Sequence, residues 1–155
     1  MSIAQRLDEL GIVLPPSVAP VANYVTARLS GDQLFLSGHV SKRDGSVVTG
    51  KVGADVAVED AHALARQIAI DMLASAQAAI GTLDRVRDVV KVTGFINSAP
   101  GFTEQPAVLN GASDLFVDVF GADHGRHARS AVGVAALPLD AAIEIEAIFA
   151  IRPEP

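Results

Sequence analysis

Between His127 and Ile151 the chain reads HARSAVGVAALPLDAAIEIEAIFAI, a pattern that predicts two strands, residues 131–137 and 142–151, joined by a short turn at Leu137-Pro138-Leu139-Asp140. In the second strand Ile143, Ile145 and Ala147 fall on one face, Glu144 and Glu146 on the other. Residues 23–30 and 33–37 also have strand character, and Gly31-Asp32 between them suits a hairpin turn. The longest periodic stretch is helical, over residues 58–80. Leu64, Ile68 and Met72 form its stripe, Leu73, Ala76 and Ile80 widen it, and Gly81 supplies a stop. Residues 89–96 are rich in β-branched side chains and predict a central strand that ends at the turn-forming run Asn97-Ser98-Ala99-Pro100-Gly101. A second helix starts near Thr103 or after Pro106, with Val108, Ala112, Leu115, Phe116 and Val119 as its apolar face. Residues 121–126 read as a polar loop. At the front, Ile3, Leu7 and Leu10 are spaced for a short helix that Gly11 ends, and Pro15, Pro16 and Pro20 make the next stretch extended.

The order ββ, α, β, α, ββ predicts an α+β fold with a single sheet and two helices on one face. It forms one domain over residues 1–155, with residues 1–16 as an N-terminal helical extension. Such a sheet keeps one bare face. Because Phe35 opposes Leu34 and Leu36, apolar side chains stand on both faces, and a homo-oligomer is expected to bury the bare one.

At 155 residues and 50% apolar, the chain suffices for one core, and 5% aromatics leave that core mainly to Ala, Val, Ile and Leu. Eighteen acidic against twelve basic residues give a formal charge of −6. Without a Lys/Arg cluster, a nucleic-acid partner is not expected. The absence of cysteine removes disulfides, thiolate metal sites and thiol nucleophiles. The N-terminus carries Arg6, Asp8 and Glu9 and does not resemble a signal peptide, and no apolar run approaches the roughly 20 residues of a membrane span. A soluble cytoplasmic protein is the expectation.

Arg129 stands where the chain enters the first C-terminal strand. A guanidinium held by a sheet can grip a small carboxylate through two parallel hydrogen bonds, with a carboxylate returning on the neighbouring strand. The alternative is a surface ion pair with Asp123, Glu144 or Glu146. Glu144 can orient or deprotonate a water if it faces a pocket, although alternation does not separate it from Glu146. Asp123, His124 and His127 have zinc-ligand chemistry, but no fourth ligand accompanies them, and no metal is expected. Gly94 and Gly101 lack phosphate-loop spacing, and the serines at 37, 98, 113 and 130 lack a nucleophile-elbow context.

The run Arg129-Ser130-Ala131-Val132, then Leu137-Pro138, then Ile143-Glu144-Ile145-Glu146-Ala147-Ile148 resembles the C-terminal signature of the RidA/YjgF family, the reactive-intermediate deaminases also called the endoribonuclease L-PSP family. Tyr24, the Leu36-Ser37-Gly38-His39 run, residues 92–97 and Asn110 follow the family pattern in the right order, and the likeness spans residues 17–151. It implies a chorismate-mutase-like subunit and a homotrimer whose sheets form a central β-barrel with three clefts between subunits. It also implies cofactor-free hydrolysis of 2-imino and enamine acids to 2-keto acids and ammonia. By the same resemblance Arg129 holds the substrate carboxylate and Glu144 positions the attacking water, while Tyr24, Ser37, Gly38, His39, Asn110 and Ala131 line the cleft. Three departures mark a divergent subgroup: Ala131 stands where many members have cysteine, His39 stands where the family has glutamine, and the N-terminal segment and the Gly121–Arg126 loop make the chain longer than typical members. A non-catalytic trimer that binds small carboxylates or a protein partner is the alternative. A ribonuclease would need a His pair with a lysine, and none is evident.

Overall fold

The computed structural model describes residues 1–20 and 22–154. Its centre is a five-stranded sheet built from β1 (Ala27–Ser30), β2 (Gln33–Val40), β5 (Val86–Asn97), β6 (Ala128–Val134) and β7 (Ile143–Ile151), in the order β1-β2-β7-β5-β6. Two short strands, β3 (Lys42–Arg43) and β4 (Ser46–Val47), form a separate ribbon. Helices α2 (Val58–Ile80) and α3 (Gln105–Phe120) cover one face of the sheet. The mixed α+β architecture with two helices on one face agrees with the periodicity of the sequence.

The expected terminal pair of neighbouring strands does not form. β6 and β7 lie on opposite sides of β5; β6 is parallel to β5 and β7 antiparallel to it. Parallel neighbours need a crossover, and α3 provides it between β5 and β6. The link from β6 to β7 then passes over the end of β5, where Asn97 is fully buried. Its amide donates to the Ala141 carbonyl (3.1 Å) and to Asp140 (3.3 Å), and Lys51 donates to its oxygen (2.6 Å) and to the Ala135 carbonyl. A two-strand jump leaves backbone groups that a simple hairpin would pair, and these side chains satisfy them.

The core follows the predicted stripes. Ile143, Ile145 and Phe149 of β7 face Ile68, Met72 and Leu73 of α2 and Leu109, Leu115 and Phe116 of α3 within one buried cluster. The scarce aromatics are concentrated: Phe149 meets Phe116 edge-on at 5.6 Å and Phe120 at 6.0 Å. The N-terminal helix α1 (Ile3–Glu9) joins this core. Ser2 caps it through a reciprocal box with Gln5, Leu7 is buried, and Arg6 donates to the Asp118 carbonyl at the far end of α3 (2.7 Å). Residues 121–126, read as a loop, contain a one-turn helix, α4 (Ala122–Gly125), whose glycine sits against the end of α3: a Cβ on Gly125 would lie 2.5 Å from the Phe116 carbonyl oxygen. No helix among the described residues is long and apolar enough to cross a membrane.

The two covering helices touch at Gly111, where a Cβ would come within 2.0 Å of the His62 carbonyl oxygen. Gly111→Ala should therefore destabilise the fold by about 1–3 kcal/mol, the range for overpacking a close contact. Helix propensity alone would stabilise it by up to about 1 kcal/mol, so the sign of the change in the urea midpoint tests the packing.

Candidate functional site

Strand β7 alternates as predicted, so Ile143, Ile145, Ala147 and Phe149 go to the helices while Glu144, Glu146 and Ile148 go to the open face. There they meet Phe95, Thr93 and Lys91 of β5 in register. On the other side β2 carries a bulge: Leu36 opposes Ala147 but His39 opposes Ile145, so three steps of β2 span two of β7. Ser37 and Gly38 form that bulge. The Glu144 carboxylate lies directly on Gly38, where a Cβ would be 2.0 Å from its Oε1, and only glycine permits the contact. The Ser37 hydroxyl donates to the Val25 carbonyl (2.6 Å) and its N–H to the Thr26 carbonyl (2.9 Å), which holds Tyr24 at the rim. Tyr24, Arg28, Phe35, Ser37, Lys91 and Glu146 surround an open hollow of about 590 Å³ on this face.

Burial pushes the Glu144 carboxyl above its ordinary range, and the neighbouring Glu146 adds to the shift. A carboxyl so placed holds a proton more readily than a free one, as acid–base work near neutral pH requires.

His39 turns the other way. Its Nδ1 lies 2.6 Å from the Ser37 carbonyl, which can only accept, so Nδ1 carries the proton. Its Nε2 then accepts from the Ser75 hydroxyl of α2 at 2.8 Å. The imidazole supports the bulge from the helix side and does not face the hollow.

Arg129, Ala131 and Asn110 form a second group. Arg129 pairs in register with buried Val92, so its side chain rises on the helix side at the edge of the sheet. Its Nη1 donates to the Ser113 hydroxyl of α3 at 3.1 Å. Ala131 follows on the same face of β6, and Asn110 stands exposed on α3 one turn before Ser113. Arg129 makes no ion pair among the described residues, with Asp123, Glu144 or Glu146 or with any other carboxylate.

Arg129 and Glu144 are thus not neighbours within one chain, contrary to the adjacent-strand expectation. Two strand spacings, roughly 10 Å, and three residues of rise, roughly another 10 Å, separate them, and they project from opposite faces. The histidines also part company. His124 pairs with Asp88 on the surface (2.9 Å), whereas His127 reaches Ser113 (3.0 Å). No cluster of three metal-ligating side chains occurs among the described residues. The sequence weighed His127 only as a metal ligand and Ser113 only as a nucleophile; the placement of α3 against β6 is what brings them to Arg129.

Comparison with known proteins agrees with this architecture. The family model described as "YjgF/chorismate mutase-like, putative endoribonuclease" matches residues 4–150. "Protein TCP17" of Trypanosoma cruzi is 51% identical over 151 residues, covering 97% of this chain and 94% of its own length. A 2-iminobutanoate/2-iminopropanoate deaminase of Dermatophagoides farinae is 32% identical over 143 residues, 91% of this chain and 95% of its own. The crystal structure of the protein Atu1372, of unknown function, from Agrobacterium tumefaciens superposes with a TM-score of 0.86 at 45% identity, covering 97% of this chain and 92% of that one.

The histidine beneath the bulge makes stability depend on pH. Burial holds the His39 pKa below its ordinary 6.5 despite the raising effect of the Ser37 carbonyl, so the unfolded chain binds more protons just below that value. The stabilising contribution is complete above 6.5 and is lost as the pH falls toward the folded-state pKa. His127, lowered chiefly by burial, acts in the same direction. Urea midpoints measured between about pH 5 and 8 should fall on the acid side, and His39→Gln should flatten part of that fall. An unchanged slope would refute the assignment of His39 as a neutral, buried support.

Proposed function

This chain belongs to the YjgF/chorismate mutase-like family, and we propose that it is a hydrolytic deaminase of 2-imino and enamine acids, yielding 2-keto acids and ammonia. The observation that carries this reading is the division of the site. Tyr24, Ser37, Gly38 and Glu144 stand at the bulge and open face, and Arg129, Ala131 and Asn110 at the opposite sheet edge. Each group is half of a site. One half offers a guanidinium with no carboxylate partner among the described residues, the other the Glu144 carboxyl at the bulge, its pKa raised by burial, two residues from Glu146, which lines the hollow. Two copies of the chain placed edge to bulge would complete it.

A homotrimer with a central β-barrel accomplishes this three times. Its inner wall would bury Phe35, 41% exposed, and Val132, 42% exposed, on the uncovered face, and each β6 edge would meet a neighbour's β2 bulge. Arg129 would then fix the substrate carboxylate through its planar fork. The imine carbon is already electrophilic, so the cleft has only to hold it against an oriented water. Glu144 would take a proton from that water as the C–O bond forms and return it to the nitrogen. The remaining proton of the new hydroxyl then passes to the nitrogen as the C–N bond breaks and the C=O bond forms, leaving the 2-keto acid and ammonia. The chemistry consumes one water and needs no redox partner. The 32% identical relative named as a 2-iminobutanoate/2-iminopropanoate deaminase supports the same substrate class.

The test is a coupled assay in which an amino-acid oxidase generates imino acids of several side-chain sizes and semicarbazide traps whatever persists. Wild type should reduce the trapped product, and Arg129→Ala should lower kcat/KM roughly a hundredfold, as expected when about 3 kcal/mol from a charged partner is lost. Failure of wild type to consume any imine would sink the deaminase; saturable 2-keto acid binding without turnover would leave a binding protein instead. Light scattering should give the mass of three subunits, and a monomer at micromolar concentration would remove the shared cleft.

A further inference from the structure

An arginine that anchors a carboxylate must present its fork in one orientation, yet its side chain has about 2 kcal/mol of rotamer entropy to lose. Arg129 is oriented by a chain of hydrogen bonds whose direction can be assigned. The Gly125 carbonyl lies 2.7 Å from His127 Nδ1 and can only accept, so Nδ1 bears the ring proton. Nε2 is then an acceptor, and the Ser113 hydroxyl, 3.0 Å away, donates to it. That commits the hydroxyl proton and leaves the Ser113 oxygen to accept from Arg129 Nη1 at 3.1 Å. Every bond runs the same way: Arg129 to Ser113, Ser113 to His127, His127 to Gly125.

The far end of the relay is rigid. Gly125 is wedged against the backbone of Phe116 and Val117, too close for any Cβ, and the Phe116 ring meets the imidazole edge-on at 5.9 Å and 86°. The three side chains come from α3, the link between α4 and β6, and β6 itself, so the relay also ties the edge strand to its covering helix. One Arg129 nitrogen is engaged by a neutral oxygen rather than by a carboxylate, which leaves the charge and the remaining N–H groups for a ligand.

We infer that Ser113 and His127 are positioning residues, which hold the Arg129 guanidinium toward the substrate carboxylate through this one-directional relay. The inference rests on Arg129 being the carboxylate anchor of the proposed site. Because the anchor acts on the bound acid and not on the bond that breaks, losing the relay should weaken binding more than turnover.

Ser113→Ala keeps a good helix former and removes only the hydroxyl, so folding is preserved. It should raise KM for the imino acid about tenfold, the scale of one hydrogen bond to a charged group, with kcat within about twofold of wild type. The Kd for 2-oxobutanoate, measured by calorimetry, should rise by the same factor. Ser113→Thr, which retains the hydroxyl, should restore both. In wild type, nitrogen NMR of His127 should show Nδ1 protonated and Nε2 as the acceptor. An unchanged KM and Kd in Ser113→Ala, an equal fall in kcat, or an Nε2-protonated His127 would each overturn the relay. If wild type binds 2-oxobutanoate but turns over no imine, the deaminase reading fails while the Kd ratio still decides the relay. If it does neither, both fail.

Discussion

Two helices can cover one face of a five-stranded sheet and no more, and the subunit is arranged around that limit. Helices α2 and α3 meet at Gly111 without room for a Cβ, so they pack as one layer over Leu34, Val92, Ile145 and Phe149. The N-terminal helix extends this same layer at the end of α3. Among the described residues no helix or strand covers the other face. Phe35 and Val132 remain on it beside Glu144, Glu146 and Lys91. A face with apolar side chains and charged ones in fixed register suits association with a second copy better than exposure to water.

The candidate chemistry sits where regular sheet geometry is broken or ends. At the β2 bulge an extra residue turns the strand, and the missing Gly38 side chain makes room for the Glu144 carboxyl. Burial beside Glu146 then raises that carboxyl's pKa, a cost in stability at neutral pH that favours its use in proton transfer. His39 braces the same bulge from the helix layer. At the opposite border Arg129 is held by Ser113 and not by an acid. In the proposed trimer the two borders meet, so each subunit would carry two half-sites and use them in different clefts.

The elements were legible because their periodicities are intrinsic: Leu64, Ile68 and Met72 can share a face only on a helix, and Ile143, Ile145 and Ala147 only on a strand. The family was legible from local motifs, above all Arg129-Ser130-Ala131-Val132 and the run from Ile143 to Ile148, which the matched family model over residues 4–150 bears out. Alternation also put Glu144 opposite the core, although it did not separate Glu144 from Glu146. In the structure Glu144 lies against Gly38, more than a hundred positions away, while Glu146 lines the open hollow.

Which strands become neighbours is a non-local matter, and there the sequence was insufficient. A short turn at Leu137–Asp140 is equally compatible with a hairpin and with a link that passes over β5; the outcome depends on α3 carrying the chain to a parallel edge and on buried Asn97 and Lys51 pinning the crossing. The same step separates Arg129 from Glu144 and joins Arg129 to Ser113 and His127. Residue type and spacing therefore determined what each segment would be and which groups could do chemistry. Only the tertiary structure decided which groups share a face, because strand order is set by contacts between residues far apart in the chain, and those leave no periodic trace in it.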